Sequence, residues 1–323
     1  MSKGDASSQS IVRAEALTKV YEGGILAVDS IDLTVEAGEI FALLGPNGAG
    51  KTTTIKMLVT LAQPTSGRIL VDGIDAMVAP DEVRARIGYV GQEVAVDKSL
   101  TARENLELQA SLYHIPLAAQ PPRIQEVLAL VELTDRADDR VKTYSGGMKK
   151  RLDIASGLVH RPKLLVLDEP TLGLDIQTRT RIWDYIARMR SAGTTVLLTT
   201  HYMEEADRLC DRIAIIDRGR IQALGTPAEL KSRVGGDVVT LKLSAADAER
   251  GRTVVGPRLR GLPFVREVVD GEPLLVYVEP GDRSAPGVFD AVRDAGVHVE
   301  AFHYCRPTLD DVFLKFTGRS MRD

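Results

Sequence analysis

The sequence predicts an α/β domain followed by a smaller α+β domain, and three observations carry that expectation. From Ile11 to about Leu230, short β-branched runs alternate with helical patterns, as in a sheet with helices on its faces. The run Glu39–Gly45 (EIFALLG) is a buried strand ending in a glycine-rich turn, with a helix beginning near Lys51. After the Gly235–Gly236 linker the texture changes. The domains are therefore expected at 11–234 and 237–323, and residues 1–10, polar and small, as a flexible tail.

Taken in chain order, IVRAEALTKVY from Ile11 and ILAVDSIDLTV from Ile25 read as strands, and a further strand is expected at Ile87–Val90. Thr101-Ala-Arg-Glu104 is a capping box, and Leu106, Ala110 and Tyr113 continue it at helical spacing. Another helix starts near Pro122. KLLVLDEP from Lys163 and TTVLLTTH from Thr194 are short, Leu/Val-rich runs suited to strands covered on both faces, with a crossover helix at Ile176–Ser191 between them. IAIIDRGRIQALG from Ile213 reads as a hairpin turning at Gly219. Beyond the linker, strands are expected at 238–243, 264–269, 274–279 and 297–304, with helical segments at 245–260 and 286–295. That β-α-β-β-α-β order is the ferredoxin-like arrangement. No internal repeat of the first domain is visible.

Bulk properties narrow the function classes. At 323 residues and 44% apolar, the chain suits one large domain plus a smaller one with sizeable cores. A net charge of −4 gives no electrostatic footprint for non-specific nucleic-acid binding. Cys210 and Cys305 stand too far apart for a C-x-x-C motif, which points to a reducing cytosol. No run approaches about 18 consecutive apolar residues, and Met1–Ser10 lacks the apolar region of a signal peptide. The expectation is a chain that neither spans a membrane nor is secreted by that route.

Gly45-Pro46-Asn47-Gly48-Ala49-Gly50-Lys51-Thr52 fits the phosphate-binding P-loop and sits where that motif works, between a strand and a helix. Its glycines let backbone N–H groups turn toward phosphates, and the helix N-terminus adds a positive dipole end. Lys51 is then in reach of the β- and γ-phosphates of ATP and the Thr52 hydroxyl in reach of Mg²⁺; Thr53 extends the binding stretch. Asp168 ends the strand LLVLD, where a carboxylate holds Mg²⁺ through water, and Glu169 follows, placed to orient or deprotonate an attacking water. Tyr144-Ser145-Gly146-Gly147-Met148 precedes a helical run, so Ser145 caps it and the two glycines expose N–H donors at its positive end, a second phosphate site.

With that segment the sequence resembles the ABC ATPase family, whose signature usually reads L-S-G-G-Q; Ser145, Gly146 and Gly147 match it, and Tyr144 and Met148 depart from it. The resemblance covers residues 11–230 and implies roles for further residues. Tyr21 matches the adenine-stacking aromatic, Gln92 the Q-loop glutamine that touches Mg²⁺ and water, Asp175 in TLGLD the D-loop, and His201 the switch histidine at the γ-phosphate. It also implies that two ATPase domains close head to tail, each ATP lying between the P-loop of one and the signature of the other. One chain carries one of each, so a second copy or a homologous chain is required.

A single ATPase domain without membrane helices implies a transporter subunit whose permease is a separate polypeptide, and so a place on the cytoplasmic face of the membrane, peripheral through that permease. The run KTYSGGMKKRLDIASGLVHRPKLLVLDEPTLGLD from Lys142, the tail after Asp237 and Pro307–Leu314 (PTLDDVFL) look like the daunorubicin-resistance type of exporter ATPase. That type implies export of drugs, antibiotics or lipid-like compounds through an ABC-2 type permease; the alternatives are an importer or another exported cargo, or a soluble ABC ATPase without permease. The tail holds no second phosphate loop, which assigns it to assembly and regulation. In it Thr308 and Asp311 form an imperfect capping box, and Leu309, Val312, Phe313 and Phe316 make an apolar stripe. His298, His303 and Cys305 could be read as metal ligands, but a structural strand is the stronger reading.

Overall fold

The computed structural model describes residues 10–234, 236–279 and 284–318. The expected flexible tail at 1–10 lies outside these residues except for Ser10, which opens the first strand. The chain divides into two compact units, one ending at Thr226 and the other beginning at Pro227. The division precedes the linker expected at Gly235–Gly236, because the short helix Pro227–Ser232 packs against the C-terminal helix of the second unit.

The first unit holds two sheets. β1 (Ser10–Tyr21) and β2 (Ile25–Glu36) form a long antiparallel hairpin. β3 (Ile40–Leu44) then enters the second sheet and leads through the glycine-rich loop into α1 (Lys51–Leu58). β4 (Ser66–Val71) and β5 (Ile74–Asp75) return to the first sheet, giving the order β2-β1-β4-β5. α2 (Pro80–Arg84) leads to β6 (Ile87–Val90), after which the chain leaves the sheet for three helices packed on one another: α3 (Ala102–Leu112), α4 (Gln120–Leu130) and α5 (Gly146–Leu158). It returns as β7 (Leu164–Asp168), crosses over by α6 (Ile176–Ser191) to β8 (Thr195–Thr200), and finishes with α7 (Met203–Leu209) and the hairpin β9 (Arg212–Asp217) and β10 (Arg220–Gly225).

The second sheet has the order β10-β9-β3-β8-β7-β6 and is parallel apart from the β9–β10 hairpin. β3, β7 and β8 are buried along their whole length, which is why their sequences run apolar without alternation. Between the sheets, Leu17, Leu33 and Val35 meet Phe41, Leu43, Val166 and Leu197, with Ile55, Met57 and Leu58 of α1 in the same core. Because β3, β6, β7 and β8 run in one direction, the loops that follow them gather on one edge, where open α/β sheets bind ligands.

The second unit contains α8 (Pro227–Ser232) and a four-stranded antiparallel sheet in the order β12-β13-β11-β14, from β11 (Asp237–Leu243), β12 (Val265–Val269), β13 (Leu274–Val278) and β14 (Val299–Cys305). α9 (Ala248–Arg250) and α10 (Gly256–Arg260), joined through a π-helical turn, connect β11 to β12, and α11 (Ser284–Asp294) connects β13 to β14. This is the ferredoxin-like order that the sequence predicts. Val239, Leu241, Val276 and Val278 bury against Leu259 and Val288 on one face.

α12 (Leu309–Thr317) begins with the expected capping box: Thr308 Oγ1 accepts from Asp311 N at 3.3 Å, and Thr308 N donates to Asp311 Oδ2 at 2.8 Å. Leu309, Val312 and Phe313 are buried, and Lys315 Nζ stands 5.5 Å from the ring centre of Tyr277. Tyr277 alternates with Val276 and Val278, so α12 lies across the opposite sheet face, the tail's own. His303 and Cys305 are β14 residues paired with Thr240 and Val238 of β11.

Candidate functional site

At the shared edge of β3, β6, β7 and β8 lies a cleft of about 420 Å³, lined by Tyr21, Ile25 and Ala27, by Pro46–Thr53, and by Gln92, Glu169, Leu172 and His201. The loop from Gly45 into α1 forms its floor. Gly48 and Gly50 have φ of +78° and +106°, a backbone that side chains disfavour. A Cβ at Gly50 would meet Ala27 O at 2.6 Å, whereas one at Gly48 would meet nothing within 4 Å. The Gly48 position thus leaves the loop open on the cleft side, a cradle that fits phosphate rather than side chain.

Lys51 is 5% exposed, and its ammonium donates to Gly45 O at 2.6 Å and Pro46 O at 3.1 Å. It also pairs with Glu169 Oε1 at 3.2 Å, while Glu169 Oε2 meets His201 Nδ1 at 2.7 Å. Glu169 therefore stands between the cation of the loop and the histidine that follows β8. Its φ of +50° is left-handed, a strain of about 1–3 kcal/mol that tends to collect at functional positions.

Asp168 is 1% exposed and receives two hydroxyls on one oxygen: Thr52 Oγ1 at 3.2 Å and Thr199 Oγ1 at 2.6 Å. Thr199 Oγ1 in turn accepts Glu169 N at 2.9 Å, so one buried threonine holds both acids of β7. The sequence reading passed over Thr199, although period-2 alternation puts it on the same side of β8 as His201. It likewise passed over Thr171 and Glu205. Thr171 Oγ1 and Trp183 Nε1 each donate to Glu205 Oε1 at 2.8 Å, which ties the turn after Glu169 to α7 and α6. Burial pushes the Glu205 carboxyl up, against these hydrogen bonds.

The hydroxyl of Thr52 and the carboxylate of Asp168 are hard oxygen donors, the chemistry that suits Mg²⁺. No group of three or more His, Cys, Asp or Glu side chains among the described residues could hold a metal. One carboxylate plus a hydroxyl matches an ion that keeps waters and takes phosphate oxygens for the rest. Tyr21, 41% exposed at the cleft mouth, has its hydroxyl 3.5 Å from Thr53 Oγ1, and Lys19 Nζ stands 5.2 Å from its ring centre. A planar base has an aromatic face available there.

Ser145, Gly146, Gly147 and Asp175 do not line this cleft. Ser145 caps α5, its Oγ accepting Met148 N at 3.3 Å. Tyr144, 3% exposed, is a core side chain that donates its hydroxyl to Arg136 O, which explains how an aromatic replaces the leucine of the usual signature. A Cβ at Gly147 would meet Thr178 Cγ2 at 2.4 Å, and one at Gly146 nothing within 4 Å. Thr178 N and Oγ1 donate to Asp175 at 2.9 and 2.7 Å, so Asp175 caps α6 beside the signature glycines. These residues present a small, open helix N-terminus on the surface, apart from their own chain's P-loop.

Comparison with known proteins agrees with this geometry. The ABC transporter family model matches residues 28–172, and that of the DrrA1-3-like ATP-binding protein C-terminal domain matches 225–317. The chain is 45% identical to the daunorubicin resistance ATP-binding protein DrrA2 of Streptomyces coeruleorubidus, the match covering 95% of each. It is 38% identical to the linearmycin resistance ATP-binding protein LnrL of Bacillus subtilis, covering 97% of this chain and 100% of the relative. Among solved structures, a dimeric ATP-binding cassette in a post-hydrolysis state bound to ADP and Pi superposes with a TM-score of 0.61 at 29% identity, covering 67% of this chain and 98% of that one.

Proposed function

Because the chain belongs to the ABC transporter family, as an ATP-binding subunit related to the daunorubicin resistance proteins, we propose that it powers export of drugs, antibiotics or lipid-like compounds through a separate ABC-2 type permease. ATP hydrolysis and pairing with a permease follow from that membership. The carrying observation for the chemistry is the chain of contacts Lys51–Glu169–His201, buried at Lys51 and Glu169, beside Asp168 and Thr52. For cargo, support comes from relatives named for resistance to daunorubicin and linearmycin that match almost end to end.

In this reading the loop Gly45-Pro46-Asn47-Gly48-Ala49-Gly50 wraps the phosphates, its backbone N–H groups other than at Pro46, which has none, serving as donors, and Lys51 exchanges its carbonyl partners for phosphate oxygens. Thr52, Gln92 and Asp168 would hold Mg²⁺, which would supply positive charge to offset that of the nucleotide phosphates. Glu169 takes the proton of the attacking water, released from Lys51 when that cation turns to the nucleotide. His201, hydrogen-bonded to Glu169, fixes the carboxylate's direction and reaches the γ-phosphate. Tyr21 stacks on the base beside Thr53. Ser145, Gly146, Gly147 and Asp175 face the nucleotide of a second copy or a homologous cassette, since Ser145, Gly146 and Asp175 are exposed, Gly147 is half-buried, and none of the four lines its own cleft.

No helix among the described residues is long and apolar enough to cross a membrane. The chain then sits peripherally on the cytoplasmic face, held by the permease, with residues 237–323 serving assembly and regulation rather than chemistry. Co-expression with an ABC-2 type permease tests the proposal. Membrane vesicles should accumulate an anthracycline with ATP, and lose that accumulation with Glu169→Gln. ATP-dependent uptake of a cargo of another class, with no drug accumulation, would refute the drug-export reading.

A further inference from the structure

Gln92 lines the cleft, yet its side chain makes no hydrogen bond to any described residue, so its position is set by the backbone on either side. That backbone is gripped at both ends from a single helix. Lys150 Nζ donates to Gly91 O at 2.8 Å, and Asp153 Oδ1 accepts Ala95 N at 3.2 Å. The two side chains stand three residues apart on α5, hence on one face, 3.9 Å from each other and only 4% and 5% exposed. A buried ion pair contributes little net stability compared with apolar residues of the same shape. What it supplies here is a directional hold on two backbone groups, which apolar side chains cannot give.

The same helix begins at Ser145, so the surface triplet and the Gln92 segment are attached to one rigid element. We propose that Lys150 and Asp153 are positioning residues that lock Gly91–Ala95, and with it Gln92, to the helix whose N-terminus carries Ser145. The inference rests on the reading in which Ser145 faces a nucleotide held by the second cassette while Gln92 faces the chain's own. Engagement of α5 by the partner's nucleotide then moves Gln92 at the other site, through contacts that are contiguous and buried.

A double-mutant cycle on the full chain tests this, with steady-state turnover at saturating MgATP and nucleotide affinity as readouts. Gln92→Ala should lower kcat by about 10-fold or more. Lys150→Met should lower it by about 10-fold, with ATP affinity within about two-fold, because Lys150 does not line the cleft. The double variant should be no slower than Gln92→Ala alone, and Lys150→Arg, which keeps a donor for Gly91 O, should recover most of the rate. A merely structural role for Lys150 would cost folded protein in either background and would not fall silent without Gln92. If the two single effects multiply, or if Lys150→Met turns over normally beside a slow Gln92→Ala, the clamp is wrong while the site assignment stands. If Gln92→Ala itself turns over normally, the assignment of Gln92 fails and takes the clamp with it. Should Lys150→Met not fold, Asp153→Ala replaces it in the cycle, with Asp153→Asn as the variant that keeps the acceptor.

Discussion

Replacing Thr199 by valine removes one hydroxyl from the centre of the site and nothing else of similar size. Thr199 is fully buried; its oxygen donates to Asp168 at 2.6 Å and accepts the Glu169 amide at 2.9 Å. Valine leaves that buried amide unpaired, about 1–3 kcal/mol, and forfeits a hydrogen bond to a charged group, about 1.5–3 kcal/mol. Relaxation and the added methyl offset part of this, so a net loss of about 3 kcal/mol is expected. For a unit of this length that lowers Tm by about 6–12 °C. The effect on turnover is separate. Glu169 holds a left-handed φ of +50° with its amide fixed by Thr199, and release lets the carboxylate drift from Lys51 and His201. A misplacement of about 1 Å costs about 10²-fold, so kcat should fall between about 10- and 100-fold. ATP affinity should stay within about three-fold, because Thr199 does not line the cleft. Thermal melts followed by fluorescence and phosphate-release assays read both quantities, and Thr199→Ser should restore them. A Thr199→Val protein that melts within about 2 °C of the parent and turns over normally would refute the claim that this hydroxyl organises both acids.

Burial pushes the Asp153 carboxyl up to about 6, against the opposing pull of Lys150 and the Ala95 amide. The folded chain therefore binds more protons than the unfolded one between about pH 4 and 6, so this group's contribution to stability falls as pH rises through that window, by up to about 3 kcal/mol. Denaturant melts of the parent and Asp153→Asn across that range should differ in slope with this sign, and parallel curves would contradict it. Phe313→Asp puts a charge under α12, where the side chain is fully buried, and should destabilise the second unit by several kcal/mol. Limited proteolysis of residues 227–318 should report it, with ATP affinity unchanged within about three-fold; a lost affinity would mean the tail takes part in the chemistry.

The strands of the parallel sheet were legible because burial on both faces demands continuous apolar runs, and KLLVLD and TTVLLTT can be little else. The crossover helix between them forms at Ile176–Ser191, as the sequence predicts. The antiparallel sheet was half legible: β1 and β2 are long, whereas β4 opens with the exposed Ser66, Gly67 and Arg68 and β5 is only two residues. Asp72–Gly73 between them was nonetheless a usable hairpin signal. α7 was hidden because Met203–Leu209 is two turns long, with only Glu205 and Ala206 buried. In the site, motif residues could be named from order and spacing. Residues that act by holding other residues, such as Thr199, Glu205, Lys150 and Asp153, carry no motif and become visible only once their distances are known. The early division at Thr226 escaped for a related reason, since what assigns α8 to the second unit is its contact with α12, some 80 residues later.

In the proposed dimer one ATP is completed by the P-loop of one chain and the Ser145 helix of another. Light scattering of the Glu169→Gln variant, which should bind MgATP while hydrolysing it about 10²-fold more slowly, tests it most directly. MgATP should convert a 35.1 kDa species into one of about twice that mass, and adding Ser145→Arg should abolish the conversion by placing a bulky cation at the phosphate-facing helix end. A mass indifferent both to nucleotide and to Ser145 would contradict it.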